Sequence, residues 1–237
     1  MTIHLQPEIF TIAPDFCRGV VIAENINNIG ESEELQKALF EAQDEVKNLP
    51  NIPELPNVKA WDEVHRAFDS NPNKYPPAHK NLLKRIHKPD TQIPFISKVV
   101  AIMNIASLRL QTPVGGDDLD LVQDFGDTLT LCRASGDENF LPLGKNVQEE
   151  HPDAGEVVYL AGSTVMCRRW KWRNSCQTLI SPGTKRIVMN VDCLGAQAEE
   201  LAKKGTELIA QLLENQTQAS VKTALLCSSN PSLPLES

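Results

Sequence analysis

Hydrophobic positions in residues 94–118, PFISKVVAIMNIASLRLQTPVGGDD, recur at intervals of three and four. Ile96, Val99, Val100, Met103, Ala106 and Leu110 thus share one face of a predicted helix. Phe95, Ile102, Ile105 and Leu108 leave little of the remaining surface polar, which places this helix inside the domain. Asn104 and Ser107 interrupt that apolar surface, and each needs a specific partner there. Asn104 is expected to bond the backbone near the glycines that follow. Pro113 stops the helix, because it lacks an N–H and pushes Thr112 out of helical geometry. Gly115 and Gly116 then lead to two carboxylates, Asp117 and Asp118.

Upstream, Val20–Ala23 reads as a strand ending near Gly30. Residues 32–47 form a predicted helix capped by Ser32, with Leu35, Leu39, Ala42 and Val46 on its inner stripe. A proline-rich connector follows, then helices over 58–68 and 78–86. Downstream the period changes from helical to alternating. Strands are expected around Thr128–Cys132, Glu156–Leu160, Thr164–Trp170, Gln177–Ile180 and Arg186–Val191. The second and third of these pair as a hairpin through Ala161-Gly162-Ser163. An amphipathic helix spans Gly195–Leu213, and a polar tail, loose at its end, follows from about Gln216. The fold class is α+β, a layered antiparallel β-sandwich with helices packed on it. Residues 1–237 read as one domain: a mainly helical cover (1–92), the central helix and strands (93–194), a C-terminal helix (195–214) and the tail (215–237).

Composition adds exclusions. The hydrophobic share of 41% and charged share of 23% are those of a soluble globular chain. No apolar run is long enough to span a membrane, and no secretory signal opens the sequence, so a cytoplasmic location is expected. Six scattered cysteines form no CxxC pair and read as reduced core thiols. No His/Cys spacing fits a metal site, and no P-loop, dinucleotide fingerprint or nucleophile motif is present, so neither metal nor cofactor is expected. The five histidines, His4, His65, His79, His87 and His151, fall on predicted surface helices or loops. A net charge of −8 argues against broad affinity for nucleic acid.

The stretch SKVVAIMNIASLRLQTPVGGDD resembles, without a gap, the pattern N-N-V-V-D-x-x-N-Y-x-x-L-E-x-G-Q-P-x-H-A-F-D of the editing module of the bacterial phenylalanyl-tRNA synthetase β subunit. Val99, Val100, Asn104, Leu108, Pro113 and Asp118 carry the match. The turn is more similar still to free-standing relatives of that module, with P-x-G-x-D-D at Pro113–Asp118. The resemblance covers residues 90–195, more faintly beyond the first stretch. It implies the same layered α+β fold. It also implies a protein that binds the 3′ end of an aminoacyl-tRNA and could deacylate a mischarged one. The family's site histidine falls on Gly115 and its phenylalanine on Asp117, so the substrate choice of the synthetase does not carry over.

Two stretches are candidate sites. Around the first, Asn104, Pro113, Gly115, Gly116, Asp117 and Asp118 would bind substrate. Glycines there bare backbone N–H groups that suit an anionic or carbonyl oxygen. As plain structure, the same glycines and aspartates make a helix stop and cap nearby amides. The second stretch, CRRWKWRNS, interleaves cations with indoles. Extended, it places Arg168, Trp170 and Trp172 on one face and Arg169, Lys171 and Arg173 on the other. Arg168, Arg169, Lys171 and Arg173, helped by Lys185 and Arg186, would hold RNA phosphates while indoles stack on bases. Arg169, Trp172, Arg173 and Ser175 are also substrate-contact candidates, since the resemblance puts an acidic site residue near Arg173 and Asn174. The alternative is a strand with its tryptophans inward and its cations paired to carboxylates. Glu138 and Glu156 read mainly as strand-end residues. Two other functional readings are a non-catalytic binding protein for a small amino-acid-like or acidic ligand, and a protein-interaction domain that keeps only the fold. A cleft between Pro113–Asp118 and Cys167–Ser175 is also expected.

Overall fold

The structure is a computed structural model and describes residues 1–144 and 147–235. It is built in three layers: a sheet, a second sheet, and helices. The chain runs β1 (Thr2–Leu5), α1 (Pro7–Ile12), β2 (Cys17–Glu24), α2 (Glu33–Lys47), α3 (Pro56–Ala67), α4 (Ala78–Ile86) and α5 (Lys98–Leu110). It continues through β3 (Val114–Asp118), α6 (Leu119–Gln123), β4 (Thr128–Arg133), β5 (Val157–Ala161), β6 (Thr164–Arg168), β7 (Arg173–Asn174) and β8 (Arg186–Cys193). It ends with α7 (Ala198–Thr217), β9 (Ser220–Leu226) and β10 (Ser232–Pro234). Among the described residues one sheet has strand order β10-β1-β4-β5-β6-β7, and the other has β3-β8-β2-β9. Among the described residues, these strands pair antiparallel except β1 with β4.

The smaller sheet is covered on both faces, so β2 and β8 are buried at nearly every position. Val21, Ala23, Ile187, Met189 and Val191 pack on one side with the helices. Val20, Ile22 and Val188 face Tyr159, Met166, Cys167 and Trp170 between the sheets. The apolar α5 lies among α2, α7 and β3, as its sequence requires. Ser97 caps its start by accepting from Val100 N, and Gln111 ends it in a left-handed conformation at φ 51°. Close approach of α7 to β2 depends on Gly19: a Cβ there would sit 2.8 Å from the Ala202 carbonyl oxygen.

Several sequence expectations are corrected. The first ninety residues are no mere cover, since β1 and β2 enter both sheets. The polar tail is built into both sheets: β9 pairs with β2 along its length, and β10 pairs with β1, while the chain end expected to be loose, 236–237, lies outside the described residues. Gln177–Ile180 forms no strand; its backbone is held by Asp118 N donating to Thr178 O at 2.9 Å. Pro113–Asp118 is not a turn but leads into the edge strand β3. His65 and His79 are fully buried rather than exposed, flanking Trp61 with ring centroids 6.2 and 6.0 Å away.

Candidate functional site

β3 is an edge strand, and its glycines leave a small cleft between the sheets. Gly115, Gly116 and Asp117 line it from β3, with Asn190 from β8 and Lys171 and Asn174 from the segment after β6. Tyr159 and Cys167 close its floor. The two stretches singled out in the sequence therefore meet, although about fifty residues separate them. Gly115 pairs with Asn190 across the strands, which sets the Asn190 side chain beside the glycine.

The CRRWKWRNS stretch does not run as one strand. After β6, Arg169, Trp170 and Lys171 all take positive φ, at 46°, 41° and 81°. A left-handed run costs roughly 1–2 kcal/mol per non-glycine residue, so surrounding contacts must hold it. They do so at each step. Arg169 N donates to Glu156 Oε1 at 3.1 Å, Trp170 N to Val157 O at 2.8 Å, and Trp172 N to Arg168 O at 3.1 Å. From the helical side, Ala78 N donates to Lys171 O at 2.8 Å, and His65 Nε2 lies 3.3 Å from Trp170 O. Trp170 fills the space between Phe16 and Trp61, edge-on at 4.9 and 5.3 Å. The turn drives the indole of Trp170 into the core and the Lys171 ammonium into the cleft.

A buried polar layer lies beneath the cleft. Asp192 accepts Arg18 Nε at 2.8 Å and Trp170 Nε1 at 3.0 Å, and also hydrogen-bonds with Tyr159 Oη. Lys171 Nζ stands 3.9 Å from the same carboxylate. Burial alone would push Asp192 up, but Arg18 and Lys171 hold it below the usual carboxylate range. Lys171 is lowered, chiefly by loss of water; Asp192 opposes the shift and Arg18 adds to it. Asp117 is pushed up to about 6 by burial, against a 2.7 Å hydrogen bond from Thr178 and the nearby Lys171. Burial raises the Cys167 thiol to about 12, so it is no thiolate nucleophile.

Other predicted site residues have structural work instead. Asn104 is half-buried and makes no hydrogen bond to the glycine segment; Ser107 Oγ donates to Thr112 O at 2.9 Å in its place. The apolar flanks of Asn104 marked burial but not which polar residue faced the chain end. Asp118 caps α6 through Asp120 N and Leu121 N and accepts Thr184 Oγ1 at 2.6 Å. Pro113 is buried, with its carbonyl accepting Asp192 N. Ser175 Oγ donates to Leu141 O at 3.1 Å, and Trp172 packs edge-on to Tyr75.

The arginines of the basic patch are paired with carboxylates. Arg168 is 7% exposed and bonded to Glu156 and Glu150, while Arg169, 6% exposed, is paired with Asp153 and Glu156. Arg173 is half-buried on Glu150 at 3.2 Å. Arg186 pairs with Glu24 and Asp120. Glu156, buried at 2% exposure, anchors this array, and Glu138 closes the Ser135–Gly136 turn. Of the cations proposed for RNA, Lys171 belongs to the cleft. Sequence reasoning missed Asn190, Tyr159, Arg18 and Asp192 as parts of the site. The one available signal was a charged or amide residue at alternate positions of an otherwise apolar strand, Arg18 in β2 and Asn190 and Asp192 in β8. A larger groove lies between β9 and β10, bordered by Glu24 and Arg186, which are paired with each other.

The B3/4 domain model matches residues 60–211, most of the chain, including both halves of the cleft. The chain belongs to the B3/4 domain family. Among solved structures, an N-terminal fragment of the phenylalanyl-tRNA synthetase β subunit from Pyrococcus horikoshii is similar to this B3/4 protein. The identity is 10% and the TM-score 0.46, over 92% of this chain and 49% of that one. This chain thus spans about half the length of that fragment. Comparison with curated protein sequences finds no match. The elements outside the matched B3/4 region include β1, β2, β9 and β10, which complete its two sheets.

Proposed function

We propose that the cleft between β3 and the left-handed turn receives the aminoacyl group at the 3′ end of a tRNA, and that the protein hydrolyses the ester of a wrongly attached amino acid. The observation that carries this reading is the meeting of Gly115–Asp117 with Lys171 in one cleft, in a chain of the B3/4 family. No group in the cleft is an activated nucleophile, so the ester would be cleaved by water. Asp117, with its raised affinity for a proton, is the group placed to exchange one with that water at neutral pH.

A second reading, binding of a free amino-acid-like ligand without tRNA, is favoured by one specific finding. The arginines that would hold tRNA phosphates are paired internally. Deacylation of a panel of mischarged tRNAs, run beside calorimetry with the free amino acids, separates the two. Turnover of at least one aminoacyl-tRNA that is lost in Asp117→Asn supports hydrolysis. Binding of a free amino acid with no turnover leaves the second reading, and neither activity rejects both.

A further inference from the structure

Two polar groups border the space over Gly115: a Lys171 ammonium held only by a long ion pair and the face of Tyr159, 4.9 Å from its centroid, and an Asn190 side-chain oxygen with no partner among the described residues. Lys171, 5% exposed, makes no hydrogen bond through its ammonium; its nearest carboxylate oxygen, Asp192 Oδ2 at 3.9 Å, already takes Trp170, Arg18 and Tyr159. Asn190, 3% exposed, has an unpartnered Oδ1. Both converge on one point. A Cβ built on Gly115 would lie 2.9 Å from Lys171 Nζ and 3.8 Å from Asn190 Oδ1. A buried ammonium that has an ion pair at 3.9 Å but no hydrogen bond is incompletely satisfied, and the left-handed turn that places it there is itself costly. The arrangement leaves a donor, Lys171 Nζ, and an acceptor, Asn190 Oδ1, side by side at the cleft.

We propose that the cleft is a carboxylate site: Lys171 Nζ donates to a ligand carboxylate, and Asn190 Oδ1 accepts from an adjacent ligand amine. The charges agree with this. Arg18 and Lys171 are set against Asp192 and Asp117, so a ligand segment carrying one carboxylate and one ammonium leaves the balance of the cleft unchanged. The closed part of the cleft has room for little more than a single oxygen atom, so the rest of a ligand would lie in the open part along β3. Gly115 keeps the path to the ammonium open. This inference rests on the cleft being the amino-acid site proposed above. The carboxylate comes either from the side chain of an acidic aminoacyl group or from the α-carboxyl of a free amino acid.

The test compares each acid with its amide. Probes are aspartate against asparagine and glutamate against glutamine, free and as amide-linked 3′-aminoacylamino-3′-deoxyadenosines, with homoserine as a neutral isostere and each free amino acid against its methyl ester. Affinities are measured for the parent, Lys171→Met and Asn190→Leu. A buried charged hydrogen bond predicts at least about a tenfold preference for the carboxylate form, falling to near onefold in Lys171→Met. Preference within the adenosine series identifies a side-chain carboxylate; preference for free acid over methyl ester identifies the α-carboxylate. Because the readout is a ratio, modest loss of stability in a variant does not mask it, and Asn190→Leu should lower affinity for both members of each pair. Binding without carboxylate preference, or a preference that survives Lys171→Met, overturns the carboxylate site while leaving the amino-acid reading standing. No binding by any probe overturns both.

Discussion

At the residue scale, the decisive position is Gly115. The resemblance puts a histidine there in the synthetase module, and in this chain the cleared volume is taken by the end of Lys171, which arrives from a turn more than fifty residues later. That exchange was not legible in the sequence, because spacing along a chain does not say which side chain fills a vacated space. The glycine pair itself was legible in the sequence, and it lines the cleft. Two glycines now make opposite predictions. In Gly115→Ala the new methyl meets only the flexible tip of Lys171, so stability should change by less than ~1 kcal/mol while ligand affinity falls. In Gly19→Ala it meets the backbone of Ala202 at 2.8 Å and Thr206 Cγ2 at 2.5 Å, so about 1–3 kcal/mol should be lost. Denaturant unfolding of both variants checks the contrast. Equal losses would show that Lys171 is fixed in place and not displaceable.

At the element scale, helices were read well wherever an amphipathic stripe and a cap coincide, as in α2 with Ser32 accepting from Leu35 N. α3 and α4 were placed correctly, but the burial of their histidines was not foreseen, since a lone histidine amid charges looks like a surface residue. Their packing against Trp61 and the 169–171 turn gives these helices a pH dependence. Burial lowers His65 to about 4 and His79 to about 3 from an ordinary value near 6.5, with Lys80 adding to both shifts and Trp170 O opposing the first. The unfolded chain therefore binds more protons than the folded one below about pH 6.5, and stability falls as pH drops from there towards 3. Asp117 acts in the opposite direction: its raised value near 6 adds relative stability as pH falls from 6 towards 4. Melting temperature should decline from pH 7 to pH 4 in the parent. The decline should be shallower in His79→Leu, whose side chain has neither ring nitrogen hydrogen-bonded in the native fold. Parallel curves would place the acid sensitivity elsewhere.

At the scale of the whole molecule, the strand-rich second half and the α+β class were legible from the change of period near residue 128. The chain ends were not: β1, β9 and β10 are short or polar, and they become strands through pairing with neighbours that local pattern cannot reveal. The same holds for charge. A dense run of arginines in a chain of net charge −8 is an internal ion-pair array, not an exposed field. Arg169→Ala/Arg173→Ala should therefore leave the salt dependence of any tRNA binding unchanged while lowering stability, because Glu150 and the buried Glu156 are left with Arg168 as their one arginine partner. A slope reduced by one to two units in a titration at several salt concentrations would return these arginines to the RNA surface. The central claim is the location of the site. Hydrogen–deuterium exchange of the protein, with and without the tightest probe from the amino-acid and aminoacyl-adenosine panel, tests it most directly. Slowed exchange confined to Val114–Asp118, 169–175 and the facing part of β8 is the predicted result; protection centred on the groove between β9 and β10, with these segments unchanged, would contradict it.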